Sequence, residues 1–233
     1  MNQELITGLD SGSIFTATVV TDIAAVLLMV CMLAYTASYR RRGKLEDRIF
    51  FATVVINMAA ALLSAILEVL DNLNPVATRY SGLIIAVYTV FVILYNATSL
   101  MTVLYLEAAF GDEGRVKRLG AKLSLVAVPL LICLAINPFT GMILYVNRTT
   151  WRYEYGVGSL ITYTAFIYCL LSVIRIWKID KRLFVLMIIL VAVKFAFDVV
   201  WYRLSTTPFM LAVGLVYMHI CLMNGDFYEE AQE

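Results

Sequence analysis

Charge is scarce in this chain. Asp, Glu, Lys and Arg make up 15% of its 233 residues, against about a quarter in soluble globular proteins. There is one histidine, His219, and one is too few for a multi-histidine zinc site. Proline is held to four residues and cysteine to four. The cysteines (Cys31, Cys133, Cys169, Cys221) all lie inside apolar runs, where small packing residues are expected rather than a disulfide framework. No H-E-x-x-H, G-x-S-x-G or P-loop pattern occurs, so no enzymatic activity and no cofactor are expected of this chain. The net charge of +1 gives no electrostatic case for nucleic acid. Residues 1–13 carry Glu4 and Asp10 but no Lys or Arg, unlike the positive start of a secretory signal peptide, so the first apolar run is expected to be a retained span.

What remains is apolar. The chain is 62% hydrophobic, with mean hydropathy +0.85. A spanning helix needs about 20 apolar residues to cross about 30 Å. Seven runs have that character: 14–38, 48–70, 80–109, 119–136, 157–176, 183–202 and 208–223. The fold expected is an all-α polytopic membrane protein, a seven-transmembrane-helix bundle over 14–223. Residues 1–13 form an extracellular N-terminus, and 224–233 start a cytoplasmic helix or tail.

Thirteen of the eighteen Lys and Arg residues fall in three breaks, at 40–48, 115–122 and 175–182. The alternate breaks hold only Arg79, Arg148, Arg152 and Arg203. Positive charge accumulates on the cytoplasmic side. The N-terminus is therefore expected outside and the C-terminus inside, in a plasma (bacterial inner) membrane. The longest outer connection, between the fourth and fifth runs, has aromatic and β-branched flanks around a polar centre. It reads as a small extracellular β-hairpin. Within it, Asn147-Arg148-Thr149 matches a glycosylation acceptor, meaningful only on a eukaryotic secretory route.

Ionisable residues inside a span are costly and default to functional candidates. In the second run, Asn57, Ser64, Glu68 and Asp71 fall on one stripe. In the sixth, Lys194 and Asp198 are four apart on one face. Asp22 lies about two turns into the first run. Asp22, Glu68, Lys194 and Asp198 thus share one depth near the outer face. Two readings compete. Lys194 neutralises the acids in a structural network, or the cluster lines an outward-facing pocket for a polar or charged ligand, a cationic or hydrogen-bond-donating group being favoured by the excess of acids; a proton or ion pathway is a lesser third. Tyr88 and Tyr95 suit the pocket walls and Trp151 a lid; ordinary interhelical packing explains the same tyrosines. His219 reads as a packing histidine with Asn96 as its possible partner. An opsin is disfavoured, because the last run lacks a lysine.

The stretch ILYVNRTTWRYEYGVG and the exit GLVYMHICLMNGDFYEEAQE resemble the N-terminal seven-helix sensor regions of bacterial signalling proteins. In that family a helix leads on to a GGDEF diguanylate cyclase or a histidine kinase. The resemblance implies a receptor, working as a possible homodimer. It would bind a small extracellular ligand and signal through its last helix to a cytoplasmic output domain or partner protein. Any cyclase or kinase chemistry would lie outside this chain. The alternative is a small solute carrier or carrier subunit.

Overall fold

A computed structural model of the chain describes residues 11–39, 45–73, 81–110, 113–147, 149, 152–157 and 207–230, with single helical positions at 181, 185, 188, 189, 192 and 193. Apart from those single positions, five helices and one hairpin make up the described part: α1 (Ser11–Tyr39), α2 (Leu45–Leu73), α3 (Ser81–Phe110), α4 (Glu113–Thr140), β1 (Leu144–Asn147), β2 (Arg152–Tyr155) and α5 (Thr207–Glu230).

Burial follows helical period. On α1 the buried positions are Thr18, Asp22, Ala25, Met29, Met32 and Thr36. These alternate in steps of four and three, so they share one face. The opposite face presents Val20, Ile23, Leu27 and Val30. A helix apolar on its exposed face as well as its buried one belongs in lipid. α2 opens with Glu46 and Asp47 in its first turn, where acidic side chains meet the positive end of the helix dipole. Its buried Ala60 and Ala61 let neighbouring backbones approach closely.

α2 packs between α1 and α3, α3 packs on α4, and α5 returns against α1 and α2 and touches α3. One apolar core joins Met29, Phe50, Val54, Tyr105, Leu215 and Met218 from four helices. A second joins Val92, Leu130, Leu134 and Ile143, so the hairpin approach is seated between α3 and α4.

α4 carries Pro129 and Pro138 within it. Neither has an N–H, so each removes one rung of the helical ladder. The helix ends at Gly141, whose φ of 65° fits a left-handed cap; its N–H reaches the Asn137 carbonyl at 2.8 Å. The antiparallel hairpin follows, in the register Leu144↔Tyr155 to Asn147↔Arg152. Gly156 closes it with an N–H to the Ile143 carbonyl at 2.9 Å.

Four helices have the length and composition to cross a membrane: Phe15–Ser38, Leu45–Leu73, Ser81–Ala109 and Val116–Thr140. The chain is a polytopic membrane protein. The seven-helix bundle expected from the apolar runs is corrected, because the described residues hold five helices of which four are of span length. The apolar stretch Thr207–Cys221, at about 1.5 Å per residue, covers only about 22 Å, short of the bilayer core. The runs expected at 157–176 and 183–202 lie outside the described residues. The basic break at 115–122 is also corrected: it is helical, forming the first turns of α4.

Candidate functional site

α1 and α2 pack against one another. Asp22, on α1, has no solvent exposure, and Ser64 and Glu68 of α2 are the polar groups acting on it. Among the described residues no hydrogen bond of ordinary length reaches either carboxylate oxygen of Asp22, although the Ser64 hydroxyl is near enough to interact with it. Thr18, one turn away, is equally buried, and its hydroxyl too is unpartnered among the described residues.

Thr18 departs from a pattern. Thr36, Thr53, Thr89, Thr98, Ser99 and Thr102 each donate a hydroxyl to the carbonyl four residues back, at 2.7–3.2 Å. Such back-bonding is how a hydroxyl is accommodated in lipid without a second helix. Thr18 leaves that option unused and sits beside the buried carboxylate. An ionised carboxylate deep in a bilayer protein without a partner costs several kcal/mol. The Asp22 environment therefore calls for a proton, a donor or a cation.

The expected constellation divides in two. Asp22 and Glu68 come together; Asp71 lies exposed near the C-terminal end of α2. Tyr88 and Tyr95 both pack on Phe91 of their own helix. Tyr88 packs with Phe91 at 6.3 Å between ring centroids, against the Leu130–Leu134–Ile143 core. Tyr95 stacks on Phe91 at 6.4 Å. Trp151, Lys194 and Asp198 lie outside the described residues.

His219 takes a different partner from the one expected. Its Nδ1 meets the Tyr105 hydroxyl at 2.9 Å, and its ring stacks on Phe50 at 4.0 Å. Asn96 instead donates to its own helix, at the Val92 carbonyl. A hydroxyl on α3, a ring on α2 and an imidazole on α5 thus close one three-helix contact. The aromatic at 105 was visible in the sequence, but no spacing rule links it to residue 219.

Sequence reasoning also missed Asn137. Its Nδ2 donates to Thr89 Oγ1 at 3.1 Å, tying α4 to α3. Its Oδ1 accepts from the backbone N–H groups of Ile143 (2.7 Å) and Leu144 (3.2 Å), tying both helices to the hairpin. Asn57 plays a similar role on α2, donating to the Pro208 carbonyl at 3.2 Å, and so anchors the first turn of α5.

On the hairpin, Glu154 accepts from Tyr145 (3.0 Å) and Asn147 (2.8 Å). The hydrogen bond to this carboxylate raises the Tyr145 phenol above its ordinary value of 10.0. The Asn147 side chain also accepts from the Thr149 N–H at 2.8 Å. The amide that a glycosyl transferase would need is thus engaged on both its atoms.

No family model, curated protein or solved structure matches the chain. The resemblance to sensor regions of the GGDEF or histidine-kinase type is accordingly corrected. It has neither a homologous link nor a seven-helix count behind it. The two stretches that carried it, an aromatic hairpin and an apolar helix with a polar exit, are features that short amphipathic segments reach independently.

Proposed function

We propose that the protein is a membrane receptor or sensor. A small extracellular ligand would bind at the α1–α2 interface around Asp22 and Glu68, with the N-terminus outside. The observation that carries this is the fully buried Asp22 carboxylate, which no hydrogen bond of ordinary length reaches among the described residues. A polar group kept in that state has no evident structural benefit, because a buried charge stabilises only when well paired. A ligand that completes the pairing binds one packing of α1 against α2 more tightly than another, and that difference drives a shift. α5 packs on both of these helices. A change in their packing therefore reaches α5 directly, and through it a cytoplasmic partner.

The test uses the full chain in lipid nanodiscs, with spin labels at the exposed positions Val30 and Ile220. A panel of small amines, amino acids and sugars is screened for binding, and distances between the labels are measured with each binder. The reading expects a compound that binds wild type, fails with Asp22→Asn, and changes the distance distribution. Binding that is indifferent to Asp22→Asn would refute it. Accumulation of the same compound in protein-containing liposomes would move the assignment to a carrier.

A further inference from the structure

We infer that the ligand of this site is cationic, and that Thr18, Asp22 and Ser64 are the groups that hold it, with Glu68 adding negative potential. The inference rests on the receptor reading and goes further by naming the chemical class.

The groups at this place offer only oxygen. Asp22 supplies two carboxylate oxygens and Thr18 one hydroxyl, all buried and without a hydrogen bond of ordinary length among the described residues. Ser64 and Glu68 act on Asp22 from α2. Hard oxygen donors select hard cations. None of the groups named here is a thiolate or an imidazole, the donors a soft metal prefers. Divalent ions call for roughly six or more oxygens or several retained waters. One buried carboxylate with two hydroxyls suits a monovalent ion instead. It suits equally an ammonium group, whose N–H donors match acceptors of this kind.

Charge points the same way. Asp22 and Glu68 act on one another across α1 and α2; a proton relieves that repulsion as a cation does, whereas a neutral ligand does not. The Thr18 hydroxyl supports this independently. The other buried threonines named above turn their hydroxyl to their own helix, whereas the buried Thr18 hydroxyl, one turn from Asp22 on the same face, has no partner among the described residues. The shared chemistry is therefore a positive charge with oxygen coordination. Its source is an inorganic ion or the ammonium head of an organic molecule.

The experiment measures thermal unfolding of the full chain in nanodiscs. Chloride salts of sodium, potassium and methylammonium are each titrated against N-methyl-D-glucamine at constant ionic strength, which removes general screening. A ligand that binds only the folded state raises the melting temperature as it saturates. The expected result is a saturable rise with at least one cation. Sodium or potassium identifies an ion site, and methylammonium alone an organic ligand. Asp22→Asn should weaken the midpoint by about tenfold or more, the scale of one charged hydrogen bond. Thr18→Val keeps the side-chain shape, so it reports even where the Asp22 variant does not fold; a several-fold weakening is expected.

Equal melting temperatures in all salts overturn the inference, as do wild-type midpoints in both variants. A cation effect that emerges only in Lys194→Met overturns it too, because the chain's own ammonium would then be the occupant. A neutral compound that binds through Asp22 with no cation effect overturns this inference and leaves the receptor standing. A cation effect with no change in the Val30–Ile220 distance does the reverse.

Discussion

Replacing Asn137 with alanine tests how the hairpin is held to the helices. The side chain makes three hydrogen bonds at a position 1% exposed. At about 0.5–1.5 kcal/mol net for each, their direct loss is about 1.5–4.5 kcal/mol. Two of the three donors are backbone N–H groups, of Ile143 and Leu144, which are themselves buried at 1% and 5% exposure. Left without an acceptor, a buried donor adds about 1–3 kcal/mol unless water reaches it. Water reaches it most readily if the hairpin lifts, so the chain will take that route. Undocking caps the cost at the scale of the docking energy and exposes both amides. Hydrogen exchange in nanodiscs measures this directly. Protection at residues 143 and 144 should fall by about a hundredfold or more, since each 1.4 kcal/mol is about tenfold. Protection in the middle of α2 should hold. Asn137→Asp is the control. It retains acceptors for both amides and loses only the donor to Thr89, so those amides should stay protected although the variant is less stable. Wild-type exchange at 143 and 144 in Asn137→Ala would refute the reasoning.

Tyr105→Phe removes the hydroxyl from His219 and leaves a buried imidazole nitrogen unpaired, at a cost of about 1–3 kcal/mol. His219→Phe retains a flat ring for Phe50. In a double-mutant cycle followed by thermal unfolding, the double variant should lose less than the two singles combined; strict additivity would show that the pair is not coupled. Gly156→Ala has no room, because the added Cβ would overlap the Met142 carbonyl. Protease cleavage across 141–157 should accelerate strongly in that variant. Gly82→Ala meets nothing within 4 Å and should cleave as wild type does.

The helices α1 to α3 were legible because lipid imposes a simple rule: every exposed face must be apolar over about 20 residues. The hairpin was legible for a different reason, since Tyr145, Val146, Tyr153 and Tyr155 flank a polar centre and no helix stripe runs through them. The helix count went astray at α5. Its apolar stretch Thr207–Cys221 shades into a polar continuation, and hydropathy alone does not measure how much of a helix is immersed. The start of α4 was misplaced because the Lys and Arg at 117, 118 and 122 report sidedness, not conformation, and a helix carries them as readily as a loop does. Shared depth brought Asp22 and Glu68 together correctly. Tyr88 and Tyr95 were singled out by heptad spacing and amphipathic rings, which report a shared face of α3 and not the neighbour that face meets. Asn137 was invisible for a related reason. Next to Pro138 it looks like the end of a helix, and its three partners are set by tertiary structure alone.

The hydroxyls of Thr98, Ser99 and Thr102 and the amide of Asn96 all turn onto the backbone of α3 itself. The helix is tied to its neighbours near one end, where Thr89 receives Asn137, and near the other, where Tyr105 meets His219. Those two ties are about 24 Å apart along the axis. Between them the polar groups travel with the helix, so twisting or bowing of the mid-section breaks none of these bonds. α3 is thus riveted by polar contacts near its two ends, while its mid-section is held by packing on α2 and α4 alone among these contacts.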